Sequence, residues 1–92
     1  MQVIWSKAAQ KSYLNTLKSI LDRWTLKEGE AFETKVFSFV KTLSTNNRLC
    51  PPSKIVNYRR CVISKQTSLV YEISGNTIML VAFVDNKSQH KY

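Results

Sequence analysis

The chain has little of what most small catalytic or scaffolded proteins are built on. Its 92 residues hold two cysteines, one histidine, two glycines and two prolines. Two cysteines are too few for a disulfide framework, and the spacing of Cys50 and Cys61 fits no zinc motif. Both are expected as reduced thiols of a cytosolic protein, with Cys61 a small apolar strand residue and a single bridge between the two as the alternative. Scarce glycine and proline exclude widespread disorder, and no glycine-rich phosphate loop is present. Neither a Cys–His nor a Ser–His–Asp set can be nominated. Acids are also few, six against fourteen basic residues. Four of those six, Asp22, Glu28, Glu30 and Glu33, fall at the end of one helical stretch and the start of the next. That clustering argues against paired carboxylates and against metal catalysis. The longest apolar run, Ile78 to Val84, is far too short to span a bilayer. Lys7, Gln10 and Lys11 break up the N-terminus before any apolar core of signal-peptide type could form. The expectation is a cytoplasmic protein with no membrane contact, metal or small-molecule cofactor.

What is present is a strong excess of positive charge, +8 at pH 7, on one domain spanning residues 1–92. A chain this short buries only about two-thirds of its unfolded surface, so partner binding could matter to its stability. The charge favours acidic partners, namely nucleic acid, an anionic membrane or an acidic protein, with simple solubility as the plain alternative. The basic residues are spread along the chain rather than gathered in a polybasic tail.

Gln2 to Trp5 is β-prone, and Ser6 can cap the helix that follows. Leu14, Leu17, Leu21 and Trp24, with Tyr13 and Ile20 beside them, recur at helical spacing and predict one apolar stripe. Thr25 and Glu28 have capping-box spacing, so a second helix should start directly after Trp24. Its stripe is Ala31, Phe32, Val36, Phe39, Val40 and Leu43. Residues 44–53 are the clearest loop, where Asn46–Asn47 and Cys50–Pro51–Pro52 stop the helix and hold the chain extended. Three strands follow, at about 56–64, 68–74 and 77–84, the last two joined by the two-residue turn Gly75–Asn76. The last strand is apolar from Ile78 onward, which suggests a central strand covered on both faces. Trp5 and Trp24 should pack at the two ends of the first helix. The expected architecture is α+β, a small two-layer sandwich of order β-α-α-β-β-β, with an antiparallel-rich sheet against a helical hairpin.

The chemistry, if any, should lie with cationic and aromatic groups near the sheet. Arg59 and Arg60 are neighbours on a strand and point to opposite faces. Lys65 sits in the next turn, and the tail brings Lys87, His90, Lys91 and Tyr92. Arg59, Arg60, Lys65, Lys87, His90 and Lys91 are therefore the candidates for binding a nucleic acid or other target. RNA cleavage would need a base for the 2′-hydroxyl, an acid for the leaving oxygen and a cation for the developing charge. The plain alternatives are solvated strand-end arginines and a frayed tail.

Across nearly its whole length the sequence resembles the RelE/ParE superfamily of bacterial toxins, which includes the plasmid-stabilisation type. The resemblance rests on Val3-Ile4-Trp5-Ser6-Lys7-Ala8-Ala9, on Trp24 followed by a polar cap and Ala31–Phe32, and on the strand block. That block comprises Tyr58–Arg59, Val62–Ile63, Leu69 to Ile73, Ile78 to Phe83 and Asp85-Asn86-Lys87. The resemblance implies the toxic half of a type II toxin–antitoxin module, wrapped and neutralised by a cognate antitoxin whose acidic or amphipathic segment would suit the charge. One branch of the superfamily cuts mRNA on the ribosome without a metal; the other poisons DNA gyrase. By position, Arg59 matches a basic strand residue of the nuclease set, Lys87 stands where an arginine is usual, and Tyr92 lies near the C-terminal tyrosine. Cys61 occupies a second basic position and Ser68 stands where arginine is common. The resulting expectation is a toxin that binds an essential target, with DNA gyrase first. The alternatives are a ribosome-dependent mRNA endonuclease built on Arg59, Lys65, Lys87 and Tyr92, and a non-toxic relative or basic nucleic-acid-binding module.

Overall fold

Ser6 decides where the first helix begins. Its backbone is extended and its hydroxyl accepts the Ala9 N–H at 2.9 Å, satisfying one of the helix's open donors. The computed structural model describes residues 1–87 and Tyr92. Strand β1 (Gln2–Trp5) leads into helix α1 (Lys7–Arg23) and helix α2 (Leu26–Thr45), and strands β2 (Tyr58–Val62), β3 (Thr67–Ser74) and β4 (Thr77–Asp85) follow. The order is the one the sequence predicts. The sheet runs β1-β4-β3-β2, with β1 parallel to β4 and the other pairs antiparallel. At the β3–β4 turn Gly75 has φ 58°, a conformation that a residue without Cβ takes without strain.

Both helices lie on one face of the sheet. Their Ala9, Tyr13, Phe32, Val36 and Leu43 form one core with Leu69, Tyr71, Ile78, Leu80 and Phe83 of the strands. The buried side of α1 differs from the expected stripe. Ala9, Tyr13, Leu17 and Ile20 face inward, while Leu14 and Trp24 are 61% and 62% exposed. Ala9 has almost no side chain, so α1 can approach β4 closely along this row, and Tyr13 then reaches Trp5 and Phe83 at ring distances of 5.5 and 5.6 Å. Trp5 packs as expected, but Trp24 does not. On α2, Phe32, Val36 and Leu43 are buried and Ala31 is exposed. Thr25 caps α2, but its hydroxyl donates to the Glu28 carboxylate instead of serving a backbone N–H.

Strand β4 is central, as its apolar run predicts, yet only one of its faces is covered by helices. Ile78, Leu80 and Phe83 are buried, while Met79, Val81, Ala82 and Val84 are half-buried. A β-bulge interrupts the pairing, because Val70 faces Ala82 and Tyr71 faces Leu80, leaving Val81 unpaired. Two α1-side serines take up the backbone groups near the bulge. Ser6 Oγ donates to the Val81 carbonyl at 2.9 Å, and the Phe83 N–H donates to Ser12 Oγ at 2.8 Å.

The cysteines correct the expectation of reduced thiols. Cys50 and Cys61 form a disulfide, with their Cα atoms 5.2 Å apart. The reason is the path of the connection after α2. Pro51 and Pro52 hold it extended, and it doubles back along the outer edge of β2, where the Arg60 N–H donates to the Pro51 carbonyl and the Ser53 N–H to the Tyr58 carbonyl. That path brings two residues separated by 11 in sequence within bridging distance.

Candidate functional site

Strand alternation divides the β2 cations between two faces. Arg59 pairs with Tyr71 and Cys61 with Leu69, and both partners belong to the core. Arg59 therefore lies on the helix side of the sheet, where its Nη1 donates to the Cys50 carbonyl. Tyr71, fully buried beside it, donates its hydroxyl to the Asn47 carbonyl at 2.8 Å and accepts the Cys50 N–H. Burial raises the Tyr71 phenol above its ordinary value, against smaller lowering effects from the Cys50 N–H and from Arg59 and Arg48.

The opposite face carries Tyr58, Arg60, Ser68, Val70 and Asn86. Asn86 organises it. Its Oδ1 accepts from Arg60 Nη2 at 3.0 Å and from Ser68 Oγ. Its Nδ2 donates to the carbonyls of Ser64 and Lys65 at 3.0 and 3.1 Å, and its backbone N–H donates to the Gln66 carbonyl. One side chain thus fixes the Arg60 guanidinium, satisfies the fully buried Ser68 hydroxyl and ties the β2–β3 turn to the end of β4. The ring of Tyr92 lies 6.0 Å from that of Tyr58, and the Tyr92 carbonyl accepts the Lys54 N–H.

Lys65 is exposed in the β2–β3 turn. Lys87 is exposed on the helix side and lines a cleft of about 310 Å³ with Arg23, Asn15, Thr16, Ser19 and Asp85. This cleft shares Ile20, Trp24, Ser64 and Gln66 with a groove of about 350 Å³ that continues over Ala31, Phe32 and Lys35. Together they form a trough between the helices and the β2–β3 turn, with an apolar strip of Ile20, Trp24, Ala31 and Phe32 and with both charges along it: Arg23, Lys35 and Lys87 against Glu28 and Asp85. Of the sequence candidates, Arg60 and Tyr92 belong to the Asn86 face, Arg59 is bound inside the loop, and Lys87 belongs to the trough. His90 and Lys91 lie outside the described residues. Among the described residues no group of three His, Cys, Asp or Glu side chains could hold a metal ion, and no helix is long and apolar enough to cross a membrane.

The comparisons agree with this architecture. The sequence model of the "ParE toxin of type II toxin-antitoxin system, parDE" matches residues 3–90. The chain belongs to the ParE toxin family. It is a toxin of the type II toxin–antitoxin class within the RelE/ParE superfamily. Among solved structures, the toxin resembles a chain of the chromosomal ParDE toxin–antitoxin system from P. aeruginosa, with TM-score 0.78, 15% identity, and 92% of this chain and 95% of that chain covered. It also resembles a copper-bound mutant toxin from Helicobacter pylori, with TM-score 0.68, 18% identity and 94% of each chain covered. A third match is a chain of the YoeB–YefM complex from Staphylococcus aureus, with TM-score 0.63, 18% identity, and 91% and 94% covered. These likenesses establish the shared fold. A search of curated protein sequences finds no match.

Sequence reasoning missed Asn86 and the trough of this toxin. An Asn directly after an apolar strand reads as a turn residue, and only the β3–β4 register shows that it projects beside Ser68 and Arg60. Trp24 carries a signal of its own, being a large apolar residue next to a helix break, although its place in the helical stripe predicts packing at the end of the first helix.

Proposed function

We propose that this toxin arrests growth by binding an essential protein target, with DNA gyrase first, and that it does not cut RNA. The observation that carries this reading is the fate of the β2 and β3 positions where a nuclease would keep its cations. Arg59 is bonded to the Cys50 carbonyl, Cys61 is in a disulfide, and Ser68 is buried against Asn86. Phosphodiester cleavage needs preorganised positive charge where the transition state becomes negative, and these positions offer little of it. The ParE family match favours the same branch.

A cognate antitoxin is the proposed second partner, docked in the trough. An acidic amphipathic segment fits it: apolar residues would cover Ile20 and Trp24 while carboxylates meet Arg23, Lys35 and Lys87, which outnumber the trough's own Glu28 and Asp85. The +8 charge would speed that encounter.

The endonuclease reading keeps one observation in its favour, the Arg60 guanidinium fixed by Asn86 near the Tyr58–Tyr92 pair. Induced expression followed by two assays separates the readings. Inhibited gyrase supercoiling by the purified toxin, with transcript 5′ ends unchanged, is the expected result. Codon-linked cuts with gyrase unaffected would replace it with the endonuclease. Harmless overproduction would leave a non-toxic relative.

A further inference from the structure

We propose that Cys50 and Cys61 form a thiol–disulfide latch that holds the 46–57 connection on the edge of β2, so that a cellular dithiol can release it. Three observations lead there. The first is how the connection is anchored. Besides the disulfide, its contacts with the strands are concentrated within residues 47–53. They are the Tyr71 hydroxyl between Asn47 and Cys50, the Arg59 guanidinium on the Cys50 carbonyl, and the short ladder of Pro51 to Ser53 against Tyr58 to Arg60. The bond lies in the middle of this set. The second is how little apolar burial supports it. Leu49 is 42% exposed and Val56 is 82% exposed, so little apolar burial holds the flanks of the connection. The third is the position of the two sulfurs in the fold. Cys61 belongs to a strand of the sheet, whereas Cys50 belongs to the connection; both are buried, so attack needs the connection to move, and Cys50 is the one that moves with it.

Cys50 is therefore the sulfur open to attack when the connection fluctuates. A thiolate of the dithiol attacks Cys50 Sγ, the sulfur–sulfur bond breaks, and Cys61 leaves as a thiolate that takes up a proton. The dithiol's second thiolate then attacks its own sulfur in the mixed disulfide and expels Cys50, which is protonated in turn. Two electrons and two protons pass to the toxin, and the dithiol becomes a disulfide. The consequence falls on Arg59. With the bond closed, its guanidinium is held by the Cys50 carbonyl. With the connection released, Arg59 loses that partner and the Arg60 N–H loses the Pro51 carbonyl. The redox state thus sets whether Arg59 is a structural cation or one offered to an anionic partner; the gyrase-first reading above is that of the closed latch.

Hydrogen exchange followed by mass spectrometry on the full chain tests this, comparing protein oxidised with glutathione disulfide against protein reduced with dithiothreitol. Reduction is expected to speed exchange by roughly tenfold or more in peptides covering residues 46–62, with α1, α2 and β4 unchanged. The Cys50→Ala/Cys61→Ala variant should match the reduced protein in both redox buffers. Unchanged exchange in residues 46–62 on reduction overturns the latch. So does faster exchange throughout the chain, which would make the bond a staple of the whole fold, and so does failure of the pair to oxidise.

Discussion

The two faces of the sheet are made from alternate residues of the same strands, yet they are finished in different ways. On the helix side, Leu69, Tyr71, Leu80 and Phe83 are buried by packing, and Arg59 is absorbed by the connection that covers β2. On the other side Val70 is buried by packing as well, but next to it burial is achieved with a hydrogen-bond hub: Ser68 is as inaccessible as Leu69, and what it meets is Asn86. The difference teaches that a cation's role on this fold is set by face and not by sequence position. Arg59 and Arg60 are adjacent, and one is part of the scaffold while the other stands on the face that a partner can reach.

The contrast in packing should break first at Leu80, which is fully buried in the shared core. Leu80→Ala should cost about 3 kcal/mol of unfolding free energy in urea titrations, from lost burial plus the cavity left behind. Val84→Ala, at a half-buried position of the same strand on the other face, should cost about 1 kcal/mol. Equal losses would mean that the two faces are packed alike.

Arg59→Ala comes next. It leaves the Cys50 carbonyl without its guanidinium partner, and the expected loss is about 2 kcal/mol, measured by the same titration. A neutral result would place Arg59 outside the scaffold and return it to the candidates for target binding.

The same cluster gives the helix side a pH signature. The Tyr71 phenol is raised by burial, and Tyr13 is raised by burial first and by the nearby Glu33 second. A group whose folded value lies above its unfolded one contributes stability that is complete below the unfolded value, near 10, and is lost as the pH climbs through the folded value. Thermal melts should therefore fall steeply above about pH 10, and Tyr71→Phe should flatten that fall. An unchanged alkaline slope in the variant would assign it to other groups.

Much of this contrast was legible in the sequence, and the missing part has a physical cause. Element order follows from local periods, so Ser6, the capping spacing at Thr25 and the Gly75–Asn76 turn locate the elements without any tertiary contact. The opposition of Arg59 and Arg60 is likewise a property of any strand. Which of them faces the helices is not local, because it depends on pairing Arg59 with Tyr71. Leu14, Leu21 and Trp24 fit a helical stripe as well as Ala9, Tyr13 and Ile20 do, and only docking on β4 selects between the rows. The disulfide depends on the connection folding back along β2, which two prolines permit but do not announce. Asn86 was invisible for the same reason, since its four side-chain partners, Arg60, Ser68, Ser64 and Lys65, lie far from it in sequence.

Asn86→Ala sharpens the description of the other face. It should cost about 1–2 kcal/mol, because the buried Ser68 hydroxyl and the Ser64 and Lys65 carbonyls lose a partner together. Restoring Asn86 in a Ser68→Ala background should recover less than it does in the parent chain, since one of its contacts is already gone. A double-mutant cycle measures that coupling, and strict additivity would remove Ser68 from the hub.

The smallest stability effect belongs to Arg60, and it discriminates best between scaffold and function. Arg60 is half-buried and held by one described side-chain bond, to Asn86, which Gln can replace in part. Arg60→Gln should change stability by less than about 0.5 kcal/mol. Its effect should appear in growth arrest on induction, which weakens if this face engages the target and persists if it does not. Paired with Arg59→Ala, the variant reverses the expected ranking: the scaffold cation dominates the urea titration, and the exposed-face cation dominates the cellular assay. If Arg60→Gln leaves arrest intact, the target-binding surface moves off the Asn86 face and onto the trough beside α1, where Arg23 and Lys87 become the cations to change next.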